Sequence, residues 1–313
     1  MAPFNALSTI LLGLAAQTSM PPTSAFPHLE PRATKCTMAY LFPSGQGSKW
    51  WTTCPNTSKA LPLSDATLRP TNNIAALPHA YVGVPDGGAD TALKAHYPEG
   101  SYIPSKQPQG GLSFYAPGPA GVDLTTAKEA TFGYRVWFPA GFDFVKGGKL
   151  PGLYGGDSAS GSISCSGGSR NDACFSVRMM WRTDGAGEVY TYLPPSYPAN
   201  DNVCNVPPQS ECNPTYGASV GRGSFAFASG GWTSVSERVR LNDAGQENGE
   251  IELFVNGKSV VNVGGLVLRD SSAGRIRGIM MQTFFGGSTS DWASPKDQDV
   301  YFADLSVAIT ETL

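Results

Sequence analysis

Residues 249–263 read GEIELFVNGKSVVNV, two alternating apolar runs joined by Asn256-Gly257. Alternation with a period of two is the mark of a half-buried strand, and Asn-Gly between two such runs is a strong short-range hairpin signal. Working outward, further short segments bounded by Gly and Pro read as strands: 92–97, 111–115, 130–138, 173–182, 188–193, 232–241, 275–285 and 299–309. No stretch longer than about ten residues carries a 3.6-residue apolar period. That many antiparallel strands in one chain favour an all-β fold, a concanavalin-like jelly roll of two packed antiparallel sheets, which limits exposed edges.

Composition agrees. Charged residues make up only 15% of the 313, below the usual quarter, while 37 Gly and 25 Pro supply turns. A net charge of −3 offers no global basic field for nucleic acid. It does not exclude an acidic polymer, because positive charge can be concentrated in one cleft.

Residues 1–25 read as an export signal. The apolar run Leu7–Ala16 is too short to span a bilayer and leads to Pro21-Pro22 and the small residues Thr23-Ser24-Ala25, although no Lys or Arg precedes it. A secreted, extracellular protein is expected, with no membrane association. All six cysteines follow this segment, and pairing of sequence neighbours gives Cys36–Cys54, Cys165–Cys174 and Cys204–Cys212, one of fifteen arrangements. No CxxC is present, and His28, His79 and His96 lie at no ligand spacing, so neither a metal site nor a cofactor is expected. Asn56-Thr57-Ser58 is a glycosylation sequon. Residues 26–91, rich in Pro, Ser, Thr and Asn, read as a disulfide-stapled extension, and 92–313 as the main domain.

The segment FSVRMMWRTDGAGEVYTYL, residues 175–193, carries the chemistry. On its first strand Phe175, Val177, Met179 and Trp181 share an apolar face, while Ser176, Arg178, Met180 and Arg182 share the other. Tyr190 and Tyr192 share a face of the returning strand. Lys149, in a glycine-rich stretch read as a loop, has neighbours too small to keep a ligand away. Singly, each has a plainer reading: a half-buried sheet face for the tyrosines, a solvated or paired surface for the arginine, an exposed loop for the lysine. Together they match what β-elimination of a uronate polymer needs. Arg178 can grip the carboxylate in a two-point fork, and Lys149 adds a point charge. A tyrosine whose pKa is lowered by those cations can move protons as base or acid. Ser176 would orient the substrate. It has no nearby His and no G-x-S-x-G elbow to make it a nucleophile.

The pattern Lys149, Ser176-x-Arg178 and Tyr190-x-Tyr192, with twelve residues from Arg178 to Tyr190, resembles polysaccharide lyase family 14, as do KLPGLYGG at 149–156 and FFGG at 284–287. The resemblance covers about residues 92–311. It implies a β-jelly roll in which the Lys and Arg neutralise a uronate carboxylate and tyrosine serves as base and acid, without separating the two tyrosine roles. The substrate it implies is an acidic polysaccharide of the alginate or glucuronan type, and a monomer is expected. The Gly/Ser-rich loop closed by Cys165 and Cys174 departs from the pattern and leaves substrate preference open.

Gln282, Arg135 and Arg182 are further candidates for substrate contacts, against plainer readings of a backbone-bonded strand residue for Gln282 and a surface salt bridge for Arg135. Two other functions stay open. A glycoside hydrolase would need facing carboxylates, for which Glu250 and Glu252 are the best pair. A lectin-like carbohydrate-binding module would keep the cleft without turnover.

Overall fold

The computed structural model describes residues 36–55, 57–87 and 90–313. The export segment and Asn56 of the sequon lie outside the described residues. Fifteen strands are formed among those described: β1 Lys49–Thr52, β2 Ala80–Gly83, β3 Thr91–Tyr97, β4 Leu112–Ala116, β5 Ala127–Phe138, β6 Gly147–Gly156, β7 Cys174–Arg182, β8 Ala186–Tyr192, β9 Glu211–Cys212, β10 Ala218–Ala226, β11 Gly231–Arg240, β12 Gly249–Val255, β13 Lys258–Leu266, β14 Arg275–Phe285 and β15 Gln298–Thr312. They build two antiparallel sheets. One runs β13-β12-β11-β5-β15-β3-β2, with β1 also pairing to β15, and the other runs β4-β14-β6-β7-β8-β10-β9. Asn256 and Gly257 both take positive φ, 49° and 77°, as a two-residue hairpin turn between β12 and β13 requires.

Inner faces of the two sheets meet in one core, to which β5 gives Phe132, Tyr134, Val136 and Phe138 and β7 gives Phe175, Val177, Met179 and Trp181. Burying each such side chain is worth roughly 1.5–3 kcal/mol. A one-residue slip of β7 would exchange all four for Ser176, Arg178, Met180 and Arg182, so apolar burial fixes which residues reach the outer face of the second sheet. The stretch read as an extension is woven into the first sheet, since β1 and β2 are two of its strands and Trp51, Leu63 and Leu68 enter the common core. All three expected disulfides are present.

Lys149 does not lie in a loop. It belongs to β6, in the middle of the second sheet between β14 and β7. The glycines that disguised this strand are cavities for neighbouring rings: a Cβ on Gly148 would fall 2.1 Å from the Trp181 ring, and one on Gly155 would fall 2.4 Å from the Phe175 ring. Pro151, a residue that argues against a central strand, sits where the register with β7 shifts between Lys149 and Gly152.

Candidate active site

Strand pairing places the candidates side by side. Tyr115, Met280, Gly152, Arg178, Tyr190 and Ser219 form one row across β4, β14, β6, β7, β8 and β10. Beside it, Phe284, Lys149, Met180 and Glu188 form a second row, and Tyr154, Ser176 and Tyr192 a third. Lys149, Ser176, Arg178, Tyr190 and Tyr192 are therefore brought onto one face of one sheet. Cavities of about 220 and 260 Å³ occur elsewhere, and none of these five lines either.

The five play unequal parts. Arg178 is 4% exposed. Its Nε donates to the Leu150 carbonyl at 3.1 Å and its Nη2 to the Gln282 carbonyl at 2.7 Å. No carboxylate neutralises it among the described residues. Burial pulls its pKa down to about 10, which leaves it charged at neutral pH. Lys149 Nζ lies 2.8 Å from Met180 Sδ and 3.3 Å from the centre of the Tyr190 ring. Burial, then the charges of Arg182 and Arg178, hold its pKa well below the ordinary lysine range. The ring face works the other way, by about 0.5–2 kcal/mol, and can hold an ammonium once one forms. Tyr190 is half-buried, and burial first, then Tyr192, pushes its phenol above the usual tyrosine range. This corrects the expectation of a lowered tyrosine pKa: desolvation outweighs the one guanidinium, Arg182, that opposes it.

Tyr192 and Ser176 face the disulfide loop. The Tyr192 hydroxyl accepts from the Gly168 amide at 3.0 Å, and its ring packs on Cys165 and Cys174. Ser176 is 0% exposed and donates to the Cys165 carbonyl at 2.8 Å. The hydroxyl expected to orient substrate is spent on the loop.

The family model for polysaccharide lyase 14 matches residues 86–305. The chain belongs to this family. Among solved structures, the marine PL-14 alginate lyase from Aplysia kurodai is 29% identical, with 85% of this chain and 100% of that chain covered and a TM-score of 0.69. Alginate lyase vAL-1 from Chlorella virus shares the fold at 24% identity, with 78% of this chain and 93% of that chain covered and a TM-score of 0.64. Alginate lyase Aly36B does so at 21% identity, covering 75% and 88%, with a TM-score of 0.55. No curated protein matches the chain. The enzyme is thus a polysaccharide lyase on a jelly roll.

Within this lyase, Arg182 and Gln282 lie on the same face as the five. Arg182 Nε donates to Glu188 at 2.8 Å and its guanidinium lies 6.0 Å from the Tyr190 ring. Glu188, which the sequence reading passed over, is 0% exposed and also accepts from Ser219 Oγ at 2.5 Å and Arg222 Nε at 3.0 Å. Its spacing was the available signal, since Glu188, Tyr190 and Tyr192 alternate along β8. Glu188 bonds both Arg182 and Arg222, with Glu211 also 3.5 Å from Arg222, whereas Arg178 has no carboxylate partner among the described residues.

Arg135 is a correction. It lies on β5 of the other sheet, 1% exposed, ion-paired with Asp304 and 4.6 Å from the Trp232 ring. The second sheet and the core separate it from Lys149, so it cannot extend the cationic face. Glu250 and Glu252 are likewise on the first sheet, where Arg238 binds both together with Glu129. Two carboxylates clamped by one guanidinium cannot face each other across a glycosidic bond, which removes the hydrolase reading.

The loop contacts carry a prediction. Ser176→Ala leaves the buried Cys165 carbonyl without its donor and should lower unfolding free energy by about 1–3 kcal/mol in urea titration. Turnover should stay within about tenfold of the parent enzyme if this bond to the Cys165 carbonyl is the role of the hydroxyl. A loss of several orders of magnitude with unchanged stability would return Ser176 to the chemistry.

Proposed function

We propose that this lyase cleaves a polyuronate of the alginate type by β-elimination, with Arg178, Lys149 and Tyr190 as the reacting groups. The single observation that carries this is Arg178: a buried guanidinium that donates to backbone carbonyls and has no carboxylate partner among the described residues, with a lowered-pKa amine and a raised-pKa phenol on the same face. A sugar carboxylate is the charge that completes it.

The geometry supports a division of labour that the residue types alone left open. Arg178 holds the uronate carboxylate and stabilises the charge that builds there as the C5 proton leaves. Lys149, whose pKa burial and the arginines hold well below the ordinary lysine range, takes that proton in its unprotonated form. The electron pair forms the C4–C5 double bond as the C4–O bond breaks, and Tyr190, kept as a phenol, protonates the departing oxygen. Lys149 as an ammonium lies against the Tyr190 ring, so a proton passed back to the phenolate, directly or through water, resets both groups. Atoms and charge balance over the cycle. Ser176 and Tyr192 hold the disulfide loop, while Gln282 and Arg182 flank the binding face.

The test is a panel of mannuronate-rich alginate, guluronate-rich alginate, glucuronan and a neutral glucan, scored by short-ultraviolet absorbance. Elimination creates an absorbing C4–C5 double bond. Hydrolysis would give reducing ends without absorbance, and a binding module would give neither. Absence of absorbance on every polyuronate would end the proposal.

A pH profile follows from the assignment. The amine must be unprotonated, so kcat/KM should rise with pH through the lowered pKa of Lys149, well below the ordinary lysine value of about 10.4. The phenol must be protonated, so the alkaline fall should come only above the usual tyrosine value of about 10. A rate that falls across neutral pH would contradict both assignments.

We also propose export, with residues 1–25 as the signal and the enzyme acting outside the cell. Three disulfides support this, and among the described residues no helix is long and apolar enough to cross a membrane.

A further inference from the structure

We infer that Glu237, on the sheet opposite the candidate site, is a positioning residue for it: through the Leu153 amide it fixes the irregular stretch of β6 that aims Lys149 and offers the Leu150 carbonyl to Arg178. The inference rests on the lyase reading above.

The register of β6 with β7 shifts between Lys149 and Gly152, which takes backbone groups out of the regular ladder. Three groups within four residues are instead held by side chains. Arg178 Nε donates to the Leu150 carbonyl at 3.1 Å. The Tyr134 hydroxyl donates to the Pro151 carbonyl at 3.2 Å, and the Leu153 amide donates to Glu237 Oε1. Tyr134 and Glu237 reach across the core from β5 and β11, on facing strands of the first sheet. Stability alone does not explain the choice. Glu237 is 0% exposed, and its Oε2 has no hydrogen-bond partner among the described residues. Burial holds its pKa well above the usual carboxylate range. Leaving a buried polar atom unpaired costs about 1–3 kcal/mol. What this costly group secures is the backbone of β6 at Leu153, at the end of the irregular stretch that begins at Lys149, and an error of about 1 Å passed to the lysine can cost about 10²-fold in rate.

The experiment compares Glu237→Leu, Glu237→Gln and Val239→Ala, the last a core truncation on the same strand that touches none of these bonds. Glu237→Leu should lower kcat about 30-fold or more with KM within about threefold. Glu237→Gln keeps an acceptor for Leu153 and should stay within about threefold of the parent kcat. Val239→Ala should lower Tm and leave kcat unchanged. Independently of turnover, the Lys149 signal of protein carrying 13C-labelled lysine should titrate nearer the ordinary lysine value in Glu237→Leu than in Val239→Ala. A folded Glu237→Leu with parental kcat and parental Lys149 titration would overturn the inference. Should that variant not fold, Tyr134→Phe removes the neighbouring bond while keeping the ring, and an unchanged kcat and titration there would overturn it equally. Loss of all ultraviolet signal in the parent enzyme would instead strike the lyase reading, with the Lys149 titration still deciding the role of Glu237.

Discussion

Arg178→Ala lowers kcat by about 10³-fold or more on any polyuronate the enzyme accepts. Removing a single neutral donor from a developing anion costs about 10²–10³. Here the lost group is a full charge in a buried setting, and the nearby guanidiniums of Arg182 and Arg222 are both engaged by Glu188. The Leu150 and Gln282 carbonyls also lose their donor, so part of the loss reflects a displaced β6. Arg178→Lys separates the two effects: it restores charge without the two-point fork, and should recover only part of the rate. Steady-state kinetics with the ultraviolet assay gives the answer. If Arg178→Ala raises KM alone and leaves kcat intact, the residue binds substrate and does not stabilise the transition state.

Tyr190→Phe and Tyr192→Phe should differ sharply. Loss of a general acid costs typically 10²–10⁴ in rate, and Tyr190 is the phenol whose ring centre lies 3.3 Å from Lys149 Nζ and whose strand position pairs with Arg178. Tyr192 already accepts from Gly168 and lies against the Cys165–Cys174 bridge. Its variant should lose about 1–3 kcal/mol of stability through the unpaired amide, and about tenfold or less in kcat. Equal and large rate losses in the two variants would cancel the distinction. Unchanged turnover in Tyr190→Phe would remove tyrosine as the acid.

Much of the site was legible because strands alternate. Once residues 175–182 read as a strand, period two alone put Arg178 opposite the apolar set, and the returning strand brought Tyr190 and Tyr192 to the same sheet. The same rule misled at Arg135, where alternation correctly placed the side chain on a polar face but could not say which of two sheets carried it. Lys149 was found by residue type and spacing while its strand was missed, since Gly and Pro at 147–156 signal a loop in isolation. Only the Trp181 and Phe175 rings that fill the glycine gaps explain why a strand tolerates them.

The amino-acid sequence by itself determined the all-β class and the identity of the residues on the candidate face, because these depend on local period, short loops and side-chain chemistry; the structure selected one of the fifteen cysteine pairings. The tertiary structure alone set the pKa directions of Lys149 and Tyr190 and the contacts on which the proposed proton roles rest. A pKa answers to burial and to charges brought together from distant parts of the chain, and the contact of Glu237 with Leu153 joins residues 84 positions apart. No local pattern encodes such a distance, so the lowered pKa of the lysine and the raised pKa of the tyrosine arise only once the two sheets have closed.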